Sequence, residues 1–366
     1  MKRPVHILLP ILVCLTTCGP SKPPVRPTQA GDDPPSDFRV VTGEAGPDDI
    51  GHFLAGLPVR YGAALSQLQQ TPEYQEHHRE MHALWRIAER SHVSLMHNWS
   101  SAELTSVIGS GGTVLYPFGG PDLLYVRAMF PQARTYALMG LEPVGDVSAL
   151  ESMPPGELFA ALAAFRQATR TQLAAGYFIT KDMKVELEHK SLRGVLPILL
   201  STVALIGGEV ESATLITAGG NPGINLCFRD AGGGRHTAFY VSGDLSNKGF
   251  KGGYREWLAS LGGTVTYFKA ASYLMTDNGF SQARDFFLSQ SHFILQDDSG
   301  IPFRYFRQDW SFRFYGNYEH PIEFFAKYQQ EDLRQAYANN PKSPIHFGSG
   351  YHMNPDGANL LLAIKK

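Results

Sequence analysis

The pattern of apolar and polar positions changes along this chain, and the change predicts two kinds of structure. Over about residues 50–112, apolar residues such as Leu84 and Ile87 recur at helical spacing, in a helix expected to begin at Pro72. From Thr113 onward, short apolar strands alternate with helical segments. Such alternation predicts an α/β fold with a mainly parallel sheet and helices on both faces, preceded by a helical N-terminal layer.

The α/β domain is expected to span residues 113–366. Its predicted strands are residues 113–118, 135–141, 213–217, 224–229, 237–241, 264–269 and 292–296. A helical insertion is expected over about residues 150–207, where apolar residues repeat at intervals of three and four. Near the C-terminus, residues 303–306 and 310–315 alternate as an antiparallel aromatic strand pair would.

The N-terminal residues have the pattern of an export signal. A basic start precedes an apolar run over residues 5–13, and Leu15 stands three positions before Cys18, as in a lipoprotein cleavage site. Thr17 departs from the small residue usual before the cysteine, so an ordinary secretory peptide is the alternative. We expect residues 1–17 to be removed and Cys18 to carry lipid. The protein would then be exported and anchored to the bilayer on the periplasmic or outer cell-surface side.

A proline-rich segment follows the signal. Residues 18–49 contain seven prolines among Ser, Gly and Asp, with few large apolar side chains. Such a composition buries too little surface to offset the entropy of ordering the chain, so it predicts a flexible linker. No later apolar run reaches the roughly 20 residues that a bilayer span needs without a charge or a Gly or Pro interruption.

Composition and motifs argue against two classes of function, nucleic-acid binding and nucleotide-dependent chemistry. The formal charge is −2, and the 32 basic residues are dispersed among 34 acidic ones, so no basic footprint for nucleic acid is present. The Gly-rich pieces match neither a P-loop nor a dinucleotide fingerprint. We therefore expect no nucleotide cofactor, and export agrees, because free nucleotides are scarce outside the cytoplasm.

Polar residues are concentrated where the predicted strands end. In open parallel sheets, ligands bind outside the carboxyl ends of the strands, so this edge is the expected site. The candidate catalytic residues are Asp122, Glu142, Lys269, Asp297 and Asp298, and the candidate ligand-binding residues are Tyr116, Gly120, Asp244, Ser272, Tyr273, Ser299 and Arg304.

These carboxylates support two chemical hypotheses. Together they would hold a divalent cation through oxygen ligands, or they would form an acid/base pair whose pKa values are separated by like-charge proximity. Lys269 would orient an anionic group. The alternative for each carboxylate is a local role: Asp122 would cap the helix it precedes, and Asp297 and Asp298 would stabilise a turn. The sequence does not identify the metal, the substrate or the ligand.

Other candidate motifs are weaker. His78 and His82 share a helix face with metal-ligand spacing, but a solvated face is the favoured interpretation of the cluster that they form with His77. Ser349 lacks the strand-to-helix elbow of serine hydrolases, and His352 stands alone. Neither of these two is assigned a catalytic role.

Three segments together resemble a family of uncharacterised exported bacterial proteins. They are residues 116–122 (YPFGGPD), 141–145 (LEPVG) and 296–302 (QDDSGIP). The resemblance covers most of the folded part and implies export and one recurring architecture, but no known activity.

The sequence thus favours an exported, lipid-anchored envelope or periplasmic enzyme, hydrolase-like, with a carboxylate-rich site at the strand ends. The alternative is a non-catalytic binding or envelope-assembly lipoprotein.

Overall fold

An eleven-stranded mixed sheet organises the described part of the chain. The computed structural model describes residues 38–39, 44–105, 107, 112–175 and 192–366. The strands are β1 Phe38–Arg39, β2 Thr113–Pro117, β3 Thr135–Gly140, β4 Glu209–Ala218, β5 Asn221–Arg229, β6 Arg235–Ser242, β7 Val265–Phe268, β8 Phe293–Gln296, β9 Trp310–Gly316, β10 Lys342–Ser343 and β11 Asn359–Lys365.

The α-helices that position the sheet and its loops are numbered in chain order. They are α1 Pro47–Leu54, α2 Ala63–Leu68, α3 Pro72–Ala88, α4 Ser94–Glu103, α5 Leu123–Met129, α6 Pro155–Ala175, α7 Leu196–Leu205, α8 Gly252–Ser260, α9 Ser281–Gln290 and α10 Glu331–Asn339. A π-helical turn, Glu89–Val93, joins α3 to α4.

The strand order is β1-β4-β5-β6-β3-β2-β7-β8-β11-β9-β10. The central strands β6, β3, β2, β7 and β8 are parallel, whereas β4, β5 and β11 run antiparallel to their neighbours. From β2 the chain builds outward to β3 and β6 on one side, and later to β7 and β8 on the other. The order therefore reverses between β2 and β7, which is where an open α/β sheet forms its ligand crevice. The predicted α/β class is confirmed.

Side chains of the central strands alternate between two apolar layers. On β2, Val114 and Tyr116 pack in one layer with α5, α6 and α7, while Leu115 packs in the other with α8 and α9. On β7, Tyr267 and Phe268 divide in the same way. Because successive strand residues point to opposite faces, this alternation requires helices on both faces, as the sequence predicts.

Secondary structure is present within residues 18–49, the segment expected to be a flexible linker. The β1 strand pairs antiparallel with β4, and α1 begins at Pro47. One carboxylate oxygen of Asp48 accepts the backbone N–H of Val210 at 2.8 Å, which ties α1 to the sheet. Cys18 and the predicted signal peptide lie outside the described residues. No helix among the described residues is long and apolar enough to cross a membrane.

The strands predicted between residues 113 and 296 are all present, but the aromatic strand pair is wrong. Phe303–Tyr305 form a 3₁₀ turn, while the second half of the pair is β9, whose antiparallel partner is β11. The turn brings the rings of Phe303 and Phe306 within 5.0 and 5.7 Å of the Phe312 ring. Aromatic packing at i and i+3 replaces strand pairing here.

The histidine-rich helix α3 is present, but its His77 is not solvated. The ring is fully buried, its Nε2 lies 3.0 Å from the carbonyl oxygen of Leu54, and burial together with the Arg166 charge lowers its pKa to about 4. His82 is exposed and stacks on His78 with ring centroids 6.1 Å apart. The solvated-face interpretation therefore fails for His77, because this side of α3 packs on α1 and α6.

Candidate functional site

Backbone strain is concentrated where the strand order reverses. Among the described residues, the non-glycine positions with positive φ are Phe118 (65°), Ala270 (51°), Ser272 (53°) and Tyr273 (56°). The first follows β2 and the other three follow β7. Each such residue costs about 1–3 kcal/mol, and positions of this kind cluster at functional sites. The carboxyl edge of β2 and β7 is therefore the strained part of the molecule.

A buried ion pair connects the ends of β2 and β7. The Lys269 ammonium lies 2.7 Å from Oδ2 of Asp122, with side chains 4% and 3% exposed. The Tyr116 hydroxyl donates to the same oxygen at 2.7 Å, and the Gln172 amide donates to Oδ1 at 3.1 Å. Asp122 precedes α5 but makes no side-chain capping bond, so the capping alternative is wrong for this residue. Its carboxylate neutralises Lys269 instead.

The position of Lys269 argues against the predicted role of orienting an anion. Its ammonium also lies 4.2 Å from the centre of the Tyr125 ring, and the Tyr125 hydroxyl donates to the Gln172 carbonyl oxygen at 2.8 Å. The charge is therefore enclosed by a carboxylate and an aromatic face. Lys269 holds the strand ends together rather than presenting a charge at the surface.

Glu142 is buried at the end of β3, apart from the other carboxylates. The Tyr240 hydroxyl lies 2.7 Å from its carbonyl oxygen and 3.2 Å from Oε2, and Oε2 also accepts the N–H of Leu141 at 3.1 Å. A Cβ at Gly120 would lie 3.2 Å from this Oε2, and one at Gly140 would collide with it. The two glycines therefore leave the space that the carboxylate occupies between the ends of β2 and β3.

Asp297 follows β8 and is 1% exposed. Its Oδ2 accepts the N–H of Ala270 at 2.8 Å, and its Oδ1 accepts both the N–H of Ser299 at 2.8 Å and the Ser299 hydroxyl. The Ser299 hydroxyl oxygen in turn accepts the N–H of Ala271 at 2.7 Å. Asp297 and Ser299 thus hold the strained segment after β7 against the end of β8.

Asp298 is 3% exposed and connects different elements. Its Oδ2 accepts the Tyr273 hydroxyl at 2.5 Å, and its Oδ1 accepts the Asn359 amide at 3.1 Å. Its carbonyl oxygen accepts the Gln330 amide at 2.8 Å. These bonds join β8 to the segment after β7, to β11 and to the start of α10.

The two neighbouring carboxylates have raised pKa values. Burial raises the pKa of Asp297 to about 6, and the adjacent Asp298 charge adds to the effect. Burial also raises the pKa of Asp298. Neither carboxylate has a lysine or arginine partner within the described residues, whereas Asp122 has Lys269. This difference makes Asp297 and Asp298 the acid/base candidates of the edge.

A polar loop that the sequence does not place at this edge covers these carboxylates, and it contains Ser349 and His352, to which the sequence assigns no catalytic role. The His352 imidazole is 14% exposed, and its Nε2 lies 4.0 Å from Oδ1 of Asp298 with no hydrogen-bond partner in the described structure. The Ser349 hydroxyl is also buried without a partner there, and the backbone N–H of His352 donates to the Ser349 carbonyl at 3.0 Å. Burial lowers the pKa of His352.

The same loop is tied to the strained backbone. The Tyr351 hydroxyl donates to the Ala270 carbonyl oxygen at 2.8 Å and accepts the N–H of Ser272 at 3.0 Å. Ser272 is exposed, while Tyr273 beside it is buried. The site therefore comprises Ala270–Tyr273 after β7, Asp297–Ser299 after β8 and Ser349–His352 before β11. We name it the acid cluster.

Four predicted ligand-binding residues lie outside the acid cluster: Tyr116 contacts Asp122, Gly120 lies against Glu142, and Asp244 and Arg304 lie elsewhere. Asp244 is exposed and accepts the N–H and hydroxyl of Ser246 at 2.7 and 2.6 Å, so it forms a local turn. Arg304 is exposed, with its guanidinium 4.9 Å from the Tyr305 ring. The sequence predicts one site at the carboxyl edge of the strands. The structure instead has three groups there: the Asp122–Lys269 pair, the Glu142 site and the acid cluster.

A metal site is not formed by the predicted carboxylates. The described residues contain no group of three or more His, Cys, Asp or Glu side chains placed to hold a metal ion. Both carboxylates of the acid cluster already accept hydrogen bonds from protein donors. The cation hypothesis therefore has no donor set in this part of the chain.

We compared the chain with protein-family models, curated proteins and solved structures. No family model, no curated protein and no solved structure matches this chain. The class defined by the fold and the site is an α/β protein with a buried acid cluster at the carboxyl edge of its sheet.

Replacing Lys269 by Met should destabilise the protein by about 3–5 kcal/mol, because it leaves the buried Asp122 carboxylate without its cation. Urea unfolding of the variant measures this loss. Combining Lys269→Met with Asp122→Asn should recover part of it. The control is Arg60→Met, which removes a half-exposed partner of Glu209 at 3.9 Å and should change stability far less. Equal losses at the two sites would contradict the assignment.

The raised pKa of Asp297 predicts a pH dependence with a definite sign. Its pKa is about 6 in the folded protein against 3.8 for the ordinary group, so the folded state binds this proton more tightly. The stabilisation is fully present below about pH 4 and is lost as the pH rises through about 6. The free energy of unfolding of wild type minus that of Asp297→Asn should therefore fall between these pH values. Urea unfolding at several pH values checks this, and a constant difference would show that burial does not raise the pKa.

Proposed function

We propose that this chain is an exported, lipid-anchored enzyme of the cell envelope that performs hydrolase-like acid/base chemistry in the acid cluster. One observation carries the proposal. Two adjacent buried carboxylates, with no lysine or arginine partner among the described residues, lie beside the His352 imidazole, whose Nε2 has no hydrogen-bond partner there. Buried titratable groups with shifted pKa values are concentrated at functional sites.

The groups of the cluster suit complementary roles. Because its pKa is lowered, the His352 imidazole is neutral at pH 7 and can take a proton from an attacking water. The Asp298 carboxylate, 4.0 Å from Nε2, would stabilise the imidazolium that forms. Asp297, with a pKa of about 6, retains its proton to higher pH than an ordinary aspartate and would protonate the leaving group.

The strained backbone supports a catalytic role. Ala270, Ser272 and Tyr273 have positive φ and contact the carboxylates or the Ser349–His352 loop through their own hydrogen bonds. A purely structural turn would be built more cheaply with glycine. The strain therefore favours a site in which exact placement of these donors matters.

A non-catalytic binding or envelope-assembly lipoprotein is the second candidate. It is favoured by the hydrogen bonds that Asp297 and Asp298 accept from protein donors, and by the exposed ring of Phe324, which is 45% accessible. On this account the carboxylates only organise the loops. The two candidates differ in whether these residues are needed for turnover.

Asp297→Asn, Asp298→Asn and His352→Gln should each reduce turnover by about 100-fold or more without loss of folding, because each removes a proton-transfer group. The assay uses the mature protein in mild detergent with chromogenic esters, phosphate monoesters and glycosides. Ser349→Ala tests whether that hydroxyl, rather than water, is the nucleophile. Asp244→Asn is the matched control and should retain activity.

Two results would count against the enzyme. Full activity in both Asp297→Asn and Asp298→Asn would remove the carboxylates from the mechanism. Absence of turnover by the wild type on every substrate class would favour the binding lipoprotein. Thermal melting of each variant shows whether a loss of activity reflects loss of folding.

Export and anchoring have their own test. Cells expressing the full chain and fed an alkyne fatty acid should incorporate the label into the wild-type protein and into Cys14→Ala, but not into Cys18→Ala. The reason is that Cys18 follows the lipobox-like residues, whereas Cys14 lies within the segment expected to be removed. Label retained in Cys18→Ala would exclude lipidation at that residue.

A further inference from the structure

A groove lies at the amino edge of the sheet, on the side opposite the acid cluster. It consists of two cavities of about 660 and 510 Å³ that share His97, Arg127 and Asp230 as lining residues. Arg134 and Arg235, at the starts of β3 and β6, line the second cavity. Both volumes fall in the usual range for small-molecule sites, about 300–1,000 Å³.

Apolar side chains form about half of the lining of the first cavity, beside polar ones such as Ser94 and Asn98. Trp85, Val93, Leu205 and Ile206 line it and are only partly buried, and Leu124 is fully buried beneath them. Val93 belongs to the π-helical turn between α3 and α4, and such turns occur frequently at functional sites. An apolar ligand that covers these partly exposed side chains would remove their apolar surface from water, which is favourable.

The second cavity is rich in cationic side chains. Its basic and titratable residues are His97, Arg127, Arg134, Arg235 and His236, and its one acid is Asp230. Glu89 is exposed and lines only the first cavity. Three guanidinium groups face one lining carboxylate, and a second carboxylate, Glu211, pairs with Arg235 from outside the lining, so this end of the groove keeps an excess of positive charge. An anionic group is its complement.

Asp230 neutralises only part of the positive charge of the second cavity. Its Oδ2 accepts from Arg127 at 2.7 Å and from the ring of His236 at 3.0 Å. Its Oδ1 accepts the N–H groups of Gly232 at 3.0 Å and Gly234 at 2.8 Å. The carboxylate is fully used in positioning Arg127 and the turn between β5 and β6.

Two arginines remain for a ligand. Arg134 is exposed and makes no ion pair within the described residues. Arg235 is paired with Glu211 at 3.1 Å, but its side chain is 65% exposed and can reorient. Arginine suits phosphate and carboxylate because its planar donors can form two parallel hydrogen bonds.

We propose that this groove binds an anionic amphiphile, with the acyl chain in the first cavity and a phosphate or carboxylate head in the second. The shared chemistry is an apolar chain ending in an oxyanion. The proposal uses neither the acid cluster nor its activity, so the two can fail independently.

The test is calorimetric titration of the mature protein, in a non-ionic detergent shown not to compete, with dodecyl phosphate and dodecanoate below their micellar concentrations. At least one of them should bind about tenfold or more tightly than butyl phosphate, because the longer chain buries more methylene groups. Inorganic phosphate and dodecanol should bind weakly, because each supplies only half of the ligand.

Arg134→Gln should weaken binding by about fivefold, the value expected for loss of one exposed charge contact. Arg90→Gln is the matched control: it lies in the same π-helical turn as Val93, removes the same charge and does not line the groove. Equal binding of dodecanol, or equal effects of the two substitutions, would overturn the proposal in favour of a general apolar surface. Equal binding of inorganic phosphate would reduce it to an anion site, and absence of binding by both amphiphiles would reject it.

Discussion

The buried pair between Lys269 and Asp122 is the interaction on which the carboxyl edge depends. Removing two charges from water costs free energy, and their attraction compensates only when other hydrogen bonds satisfy the remaining lone pairs and N–H groups of the pair. Here Tyr116 and Gln172 donate to the carboxylate, and the ring of Tyr125 covers the ammonium. The pair therefore joins the ends of β2 and β7 to α5 and α6 at the point where the strand order reverses.

The two carboxylates of the acid cluster lie in a different electrostatic environment from that of Asp122, although all three residues are aspartates. Asp297 and Asp298 are as buried as Asp122, but only neutral donors contact them, apart from the imidazole 4.0 Å away. Burial therefore raises both pKa values, and the Asp298 charge adds to the effect on Asp297, whereas the Asp122 carboxylate has a cation beside it. Two environments on one edge thus separate a structural carboxylate from two titrating ones.

The sequence predicts the sheet and its polar edge, because strand periodicity and the rule of carboxyl ends depend on local pattern. It does not predict that the polar residues of this edge form three separate groups, because the grouping depends on which side chains contact each other in the folded chain. Asp122 precedes a helix and looks like a cap, yet Lys269, far away in sequence, captures its carboxylate. The sequence does not place the loop containing Ser349 and His352 at the site for a related reason. Since β11 runs antiparallel to β8, the segment before it lies beside the carboxyl end of β8. Recognising the last apolar run as an antiparallel strand would have placed that loop at the site.

Helix α5 relates the two edges of the sheet. Asp122 stands at its N-terminus beside the ion pair, and Arg127 lies in its last turn at the groove. At 1.5 Å per residue, a helix of this length is only about 10 Å long. Both charges have the sign that the helix dipole favours, negative at the start and positive at the end. Yet each is held by a partner from another part of the chain, Lys269 for Asp122 and Asp230 for Arg127. The helix is thus fixed at both ends by tertiary ion pairs, which keeps the two edges in a defined relation.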